Sequence, residues 1–433
     1  MTETLTDRGF TRAGLPTGDP SDLRGRALGA FEALPVPSQE TEEWRYTDLS
    51  RLDLEAFAPF APGNRASTLD EVDERILEAA GEIGDRSGLL IQHNSETAIA
   101  HLDPELERRG VRFLSIDTAI HDDPGLLEER LHTLIPPDRT KFTALHAAFR
   151  TGGTFVLVPR GVDVELPLQS LTYLDATGSA VFPHTLLVVE EGASLTFIDR
   201  YVSPDLESAL SVAAVEVFAG PNSQVRYVSL QDWGRGLTHL SVQRAQVDRD
   251  AQLRSLAVAF GADLSRTEVE SVLTGPGGHS EMLGVYFTDG TQHFDHRSLQ
   301  DHIAPHCTSD LLYKGALRDS SRVVYSGLIH IAPGAKGSDA FQTNRNVVLS
   351  DEAKADSIPN LEIENNDVRC SHAASVGPVD EDEVFYLQTR GIPRDEAERL
   401  IVRGFFQEVL DRVPLQEVRR GLATAIEDEL RGK

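Results

Sequence analysis

The sequence predicts a mainly β protein, a parallel β-helix flanked by an α/β region and a helical region, and three observations support this. Short alternating strands ended by turns fill the middle of the chain, the turns recur at nearly constant spacing, and helical apolar spacing returns after Gly377. A chain of 433 residues is also too long for one simple core. We therefore divide it into an N-terminal α/β, mostly helical cap (1–150), a β-helix core (151–377) and a C-terminal helical domain (378–433).

The first 150 residues mix helical and strand patterns. RILEAAGEI and PGLLEERLHTLI place apolar residues at helical spacing, whereas GLLIQH and VRFLSI are apolar runs of strand length. These patterns predict an α/β cap in front of the repeating region.

A repeat of about 30 residues begins at Phe155. The turn centres are separated by 31, 28, 30 and 28 residues and lie at Gly161, Gly192, Gly220, Asp250 and Gly278. The next clear turn, Gly334, is 56 residues further on, which is two periods if a quieter turn lies near Pro305. Such repetition favours a β-helix, in which each rib covers the apolar edges of the previous one. On spacing alone, an ordinary β-sandwich remains an alternative.

The segment after Gly377 predicts helices. The acidic run in PVDEDEVFYLQTRG suits a helix N-terminus, and an apolar stripe follows at Ala397, Leu400, Ile401, Phe405 and Val409. Phe405 lies on this stripe and Phe406 about 100° away from it, which is more apolar surface than one buried face requires. The helices could cap the open end of the β-helix or dock a partner.

Composition and missing motifs exclude several classes of function. Asp and Glu total 69 against 41 Lys and Arg, so the formal charge of -28 would repel nucleic acids and anionic membranes. With two cysteines and an opening MTETLTDRGFTRAG that lacks a basic and then an apolar segment, we expect a cytoplasmic protein. No P-loop, G-x-S-x-G or H-E-x-x-H motif occurs, so we expect no ATP hydrolysis by this chain alone.

The segment LEIENNDVRCSHAASVG contains the best candidate ligands. In an extended strand, Cys370 and His372 point to the same face with Cα atoms roughly 6.5 Å apart, and Glu362, Glu364 and Asn366 lie further back on that face. A thiolate and an imidazole suit an iron–sulfur unit or zinc, but two ligands do not complete a tetrahedral site. The remaining ligands must come from elsewhere, unless the two residues are neighbours by chance.

A second histidine group precedes this segment and has two interpretations. Its members are His279, His293, His296, His302, His306, Cys307 and His330. Metal binding is one interpretation. Because Asp295 and Asp301 lie among these residues, we favour polar ladders between neighbouring ribs.

Several long segments resemble the SufB/SufD family of iron–sulfur cluster assembly proteins. They are ETEEWRYTDL near the start and the stretch from LLYKGALRDSSRVVYSGLIHIAPGAKGSDAFQTNRNVVLSDEAKADSIPN to LEIENNDVRCSHAASVGPVDEDEVFYLQTRGI. The chain looks more like SufD than SufB, because Cys370-Ser371-His372-Ala373 stands where SufB members typically show a Glu-His-Glu-Ala type segment. For Trp44, Arg45 and Tyr46 we expect packing between the cap and the β-helix.

The resemblance implies a right-handed parallel β-helix in a complex of one SufB, one SufD and two copies of the ABC ATPase SufC. The SufB and SufD β-helices would pair side by side, with a nascent cluster held at their interface by a SufB cysteine and His372, and Cys370 matches the same motif. The helices from Asp380 to Arg412 would dock SufC through partner-binding residues Phe385, Tyr386, Arg390, Gly391, Phe405 and Phe406.

The resemblance further implies a scaffold without catalytic activity, and it leaves open a homodimer in the absence of SufB. We expect truncation after Gly377 to abolish SufC binding while the β-helix stays folded. The alternatives are a β-helix carbohydrate-active enzyme and a structural adaptor without metal contact.

Overall fold

A computed structural model describes residues 8–17, 22–81, 86–413 and 415–431, and these form a mainly β protein with 40% strand and 23% helix. The helices are α1 (Leu23–Ala33), α2 (Glu74–Ala80), α3 (Pro104–Arg108), α4 (Ile116–Asp122), α5 (Gly125–Glu128), α6 (Lys141–Phe149), α7 (Glu381–Thr389), α8 (Arg394–Leu410) and α9 (Gln416–Arg431). Short 3-10 helices cover Arg12–Gly14, Glu42–Trp44, Leu54–Ala56 and Leu69–Glu71.

The strands are β1 (Gly88–His93), β2 (Glu96–Leu102), β3 (Arg112–Ser115), β4 (Thr154–Val158), β5 (Leu168–Tyr173), β6 (Ser179–Val181), β7 (His184–Val189), β8 (Ser194–Val202), β9 (Ala209–Ala219), β10 (Gln224–Asp232), β11 (Leu237–Val247), β12 (Gln252–Ala259), β13 (Leu264–Leu273), β14 (His279–Thr288), β15 (His293–His302), β16 (Thr308–Leu317), β17 (Arg322–Ile331), β18 (Asp339–Val348), β19 (Lys354–Ile363) and β20 (Arg369–Pro378).

The strands wind into a parallel β-solenoid of about eight turns. From β8 onward, consecutive strands alternate between two sheets, and each strand pairs in parallel with the strand two positions later. Sheet 1 has the order β2-β1-β5-β8-β10-β12-β14-β16-β18-β20, and sheet 2 runs β19-β17-β15-β13-β11-β9-β7-β4-β3. The parallel pairing confirms the predicted β-helix and excludes an antiparallel β-sandwich.

One corner of the solenoid explains the repeat in the sequence. Each coil places a residue with positive φ there: Gly161, Gly192, Asn222, Asp250, Gly277, His306 and Gly337. Backbone hydrogen bonds connect these corners from coil to coil, as from His306 N to the Lys336 oxygen at 2.9 Å. His306 is the quieter turn predicted near Pro305, and it has φ 61°. The strained corner recurs because every coil must turn at the same place.

The N-terminal region extends both sheets. The predicted strand GLLIQH forms β1, which pairs in parallel with β5. The helix predicted at RILEAAGEI begins as α2, and the last two residues of that segment, 82 and 83, lie outside the described residues. The helix predicted over PGLLEERLHTLI is wrong beyond Glu128. The backbone N–H groups of His132, Leu134 and Ile135 donate to the buried Glu216 carboxylate instead of to helical carbonyls.

Trp44 packs the N-terminal region against the outer face of sheet 2. Its ring lies 5.6 Å from the Phe142 ring, and the Arg266 guanidinium stacks 3.9 Å above it. Only 7% of Trp44 is exposed, which confirms the packing role expected for this residue.

The helices α8 and α9 lie along the outer face of sheet 1. Their buried side chains pack on sheet residues such as Val258, Leu283 and Phe287, and the Lys314 ammonium donates to the Phe405 carbonyl at 2.8 Å. Arg412 adds an ion pair with Glu281 at 2.6 Å. The alternative that these helices cap the end of the β-helix is therefore wrong, and no described strand pairs with the outer edges of the last coil.

Candidate functional site

The last coil carries the predicted ligands on an edge strand. Within the described residues, β20 pairs with β18 on one side only, and β19 likewise pairs only with β17. We call this surface, formed by β19 and β20, the open end. Unpaired strand edges expose rows of N–H and C=O groups that another chain can bind.

Cys370 and His372 both point toward the interior of the solenoid at the open end. Cys370 stands opposite Ala340, and His372 stands opposite Gln342. Both residues of the coil beneath are fully buried. A thiol and an imidazole thus continue the interior column, and the described residues leave Cys370 half-buried and His372 exposed.

Cys370 is a free, half-buried cysteine that packs against an apolar cluster including Ile329, Ile331 and Ala340. Burial raises the pKa of its thiol, and the negative charge of Asp339 raises it further. At neutral pH the isolated chain therefore holds a protonated thiol, and metal binding at this position would require loss of that proton.

His372 is exposed, and no side chain in the described ranges hydrogen-bonds to its ring. Beneath it, the buried Gln342 amide has neither a donor nor an acceptor partner. Such an unsatisfied amide is unusual in a protein interior. The interior column beneath His372 is therefore polar, and the described residues leave its hydrogen bonds unsatisfied.

Apolar side chains at the open end are also partly uncovered. Leu361 and Ile363 on β19 are 38% and 43% exposed, and Val376 on β20 is 45% exposed. They stand opposite residues of the previous coil that are buried, so they point into the solenoid interior. Uncovered apolar patches are typical of surfaces that bind another protein. The sequence analysis missed this surface, although the alternation of apolar Leu361 and Ile363 with charged residues was the available signal.

The carboxylates predicted on the ligand face lie elsewhere. Residues 364–368 form a bend between β19 and β20, so the strand is not continuous from Leu361 to Gly377. Glu364 approaches His330, with 3.6 Å between its Oε2 and Nε2 of that ring. The shared face expected for Glu362, Glu364 and Asn366 with Cys370 and His372 is therefore wrong, because the chain turns between them.

Two members of the second histidine group, His302 and His330, make short polar side-chain contacts. His330 Nδ1 lies 2.7 Å from the Asp301 Oδ1 of the adjacent coil, and His302 Nε2 lies 2.7 Å from the Ser309 hydroxyl. The contact with Asp301 confirms the favoured ladder interpretation for His330. His302 and Ser309 lie on consecutive strands of one coil, so their contact does not connect neighbouring ribs. Cys307 is fully buried in the solenoid core, and burial raises the pKa of its thiol.

The predicted docking residues fall into two groups, of which the first is on the surface. Phe385 and Tyr386 on α7 are 67% and 56% exposed, and Arg390 stacks on the Tyr386 ring at 5.2 Å. Gly391 ends α7 with φ 85°, a conformation that strongly favours glycine. The helix α7 thus presents two adjacent aromatic rings to solvent.

The buried and the more accessible positions of Phe405 and Phe406 are exchanged relative to the prediction. Phe406 is fully buried against sheet 1, together with Val402 and Val409, whereas Phe405 is partly buried beneath the Lys314 ammonium. Phe406 is therefore a core residue and not a docking residue. Ala397 and Val409 of the predicted stripe are buried, which confirms that part of it. Between them the buried positions are Val402 and Phe406, each one residue later than predicted.

Comparison with known proteins gives a consistent family. The family described as SUF system FeS cluster assembly, SufBD core domain, matches residues 172–405. An iron–sulfur cluster assembly SufBD family protein of Staphylococcus epidermidis (strain ATCC 12228) is 28% identical over 405 residues, covering 91% of this chain and 86% of that protein. Proteins of the same family in Staphylococcus saprophyticus and Staphylococcus aureus (strain MRSA252) show the same identity and coverage.

No helix in the described ranges has the length and apolar character needed to cross a bilayer.

Proposed function

The chain belongs to the SufBD family of iron–sulfur cluster assembly proteins, and from this premise we propose that it is a SufD-like, non-catalytic scaffold subunit in the cytosol. It pairs with a SufB-like paralogue through the open end, and the nascent cluster is cargo shared between the two chains. A SufC-like ABC ATPase binds the C-terminal helices and supplies ATP hydrolysis.

One observation carries the proposal: Cys370 and His372 lie on a strand with a free edge and face the uncovered interior of the last coil. A second solenoid whose last strands meet β19 and β20 would cover Leu361, Ile363 and Val376 and would face both ligands. This geometry favours end-to-end contact of the solenoids over contact along their sides.

The ligand set of this chain is half of a coordination shell. Cys370 and His372 supply two donors, whereas a tetrahedral iron site takes four. The raised pKa of Cys370 disfavours the thiolate in the isolated chain. Binding of iron between two chains therefore has to supply the energy for deprotonation, which makes cluster assembly depend on pairing.

The SufD-like assignment rests on the ligand segment. Cys370-Ser371-His372-Ala373 resembles SufD, and the chain has only two cysteines, of which Cys307 is buried in the core. His372 is the more accessible of the two candidate ligands. We therefore assign the main ligand role to His372 and a secondary role to Cys370.

Replacing His372 with alanine is expected to remove most of the cluster while the complex stays assembled, because the exposed ring supplies a donor but little packing. The measurement is iron and sulfide per complex after coexpression of this chain with the paralogue and the ATPase. Ser371→Ala is the matched control, since its side chain is exposed on the outer face of the same strand.

Full cluster content in the His372→Ala complex would identify the chain as an adaptor without metal contact. Loss of the complex itself would instead assign His372 to pairing. Either result contradicts the proposed ligand role, whereas an intact complex without its cluster supports it.

Replacing Phe385 and Tyr386 together with alanine is expected to abolish copurification of the ATPase without changing the melting temperature. Both rings are mostly exposed, and Val384 is the buried residue that attaches α7 to the rest of the molecule. Exposed aromatic residues of this kind commonly dominate the binding energy of interfaces. Phe60→Ala, an exposed aromatic in the N-terminal region, is the control. Retention of the ATPase by the double variant would place docking elsewhere.

A further inference from the structure

Three buried histidines meet where the N-terminal region joins the first coils of the solenoid. His132 follows α5, His146 lies on α6, and His184 begins β7. Their ring centroids are 4.8 to 5.7 Å apart, and one nitrogen of each ring lies within 4.8 Å of the others. At most 7% of each residue is exposed. Within the described ranges, no other group of three potential metal ligands meets this criterion.

The contacts around the cluster set the direction of the lone pairs. His146 Nε2 lies 3.1 Å from the Pro183 carbonyl, which can only accept, so this nitrogen carries the proton and Nδ1 is left with a lone pair. His184 Nε2 lies 3.1 Å from the Glu216 carboxylate, and its Nδ1 has no partner. A carboxylate or carbonyl that holds the far nitrogen of an imidazole is the usual outer support of a metal-binding histidine.

His132 adds a third donor under unusual constraints. Its Nε2 is buried without a hydrogen-bond partner, and its backbone has φ 60°, a region that residues other than glycine seldom occupy. The backbone N–H of His132 donates to Glu216 at 2.7 Å, so one carboxylate positions two of the three histidines. Buried polar nitrogens without partners and strained backbone are features that concentrate at binding sites.

We propose that His132, His146 and His184 bind one divalent first-row transition metal ion, with zinc as the best match and water in the fourth position. Three neutral imidazoles suit zinc far better than magnesium or calcium, which take oxygen ligands. Zn–N bonds of about 2.0 to 2.1 Å place nitrogens about 3.4 Å apart in a tetrahedral site. Because the candidate nitrogens lie within 4.8 Å of one another, no pair has to close by more than about 1.4 Å on binding.

The charges around the cluster are compatible with a bound cation. Burial lowers the pKa of all three imidazoles well below its usual range, with charged neighbours adding to the effect, so the rings are neutral and their lone pairs are free. Arg150, whose positive charge contributes to the lowered pKa of all three imidazoles, is paired with Asp117 at 2.8 Å. Glu216 places a carboxyl group beside His184, and burial raises the pKa of this group to about 7.

The position of the site indicates a structural role. The ion would connect the loop after α5, helix α6 and the start of β7, three segments joined otherwise by packing and the contacts of Glu216. His132 also lines a surface pocket shared with Glu128 and Asp138, which offers a path for the ion. The site lies in the first coils, whereas Cys370 and His372 lie on the last strand, so it is independent of the proposed cluster site.

The test uses the full chain purified without a histidine tag. Elemental analysis is expected to find about one equivalent of zinc or another first-row metal per chain. Titration of the chelator-treated chain with Co²⁺ is expected to give the visible absorption bands of tetrahedral cobalt. His132→Gln and His184→Asn should each lower the metal content at least tenfold. His239→Asn, which changes a buried histidine bonded to Ser211 outside the cluster, should retain the metal.

Further results distinguish metal bound at the histidine cluster from metal bound at the open end and from no bound metal. The double variant Cys370→Ala with His372→Ala should keep the metal, and loss of the metal in it would overturn the proposal by moving the ion to the open end. The proposal would also be overturned if the wild-type chain were purified without metal and gave no cobalt spectrum. Unchanged metal content in His132→Gln would overturn it as well. Should His184→Asn fail to fold, His132→Gln and the cobalt titration give the answer.

Discussion

A chain with both Leu361 and Ile363 replaced by lysine is expected to lose the proposed pairing with a SufB-like paralogue and to run as a monomer. Both side chains point into the interior of the last coil and are uncovered at the open end. Burial of an unpaired ammonium in an interface costs several kcal/mol. Two such groups should weaken pairing by at least about 100-fold.

Mass measurement by light scattering after size exclusion, with and without the paralogue, checks this result. The matched control carries the same two charges on the outer face of the last coil, as Asn360→Lys with Ser371→Lys. The control should pair more tightly than the interior variant. Equal pairing of both variants with the paralogue at wild-type affinity would exclude the open end as the interface, and any homodimer of the isolated chain should respond in the same way.

The repeat was predictable from the sequence because each coil needs a residue at the same strained corner. Gly161, Asp250 and the turn near Pro305 marked this corner, and the structure places Gly161, Asp250 and His306 there with positive φ. What the spacing could not establish is the pairing partner of each strand. A β-sandwich and a β-helix share short strands and frequent turns, and only the parallel register between residues about 30 apart distinguishes them.

The choice of buried face was not predictable where two faces are apolar. Phe405 and Phe406 are adjacent, and either could belong to a helical stripe. Contact with the outer face of sheet 1 decides in favour of Phe406. Tertiary packing thus overrides local periodicity, and the bend at residues 364–368 likewise separates carboxylates that a continuous strand would align with Cys370.

The histidine cluster had no signal in the sequence. His132, His146 and His184 are separated by 14 and 38 residues, without the close spacing of a local metal motif. They meet because the chain turns out of α5 toward Glu216 and because α6 packs against the first coils. Such a site exists only in the folded chain.

Truncation after Gly377 is expected to destabilise the whole solenoid, contrary to what the sequence alone predicts. The helices α8 and α9 and the Val413 that follows α8 contribute eight buried apolar side chains to the cluster on the outer face of sheet 1, including Val402, Phe406 and Ile426. Burial of one such side chain contributes about 1.5 to 3 kcal/mol, and the total stability of a domain is about 5 to 15 kcal/mol. Loss of this interface also exposes Phe287 and Val258 on the sheet. We therefore expect an aggregating chain, or a large fall in melting temperature with binding of an apolar dye.

A point substitution separates instability from failure to bind. Phe406→Ala should cost about 3 to 5 kcal/mol of unfolding free energy, because it leaves a cavity under α8, whereas Phe385→Ala should change stability little, since its ring lies in solvent. Denaturant unfolding of the two variants measures the difference.

A soluble chain truncated after Gly377 with an unchanged melting temperature would show that sheet 1 does not need its helices. In that case loss of the ATPase from the truncated chain would report on docking alone. If the truncated chain unfolds, only substitutions on α7 can test how the ATPase binds, because they leave the contact between the helices and the sheet intact.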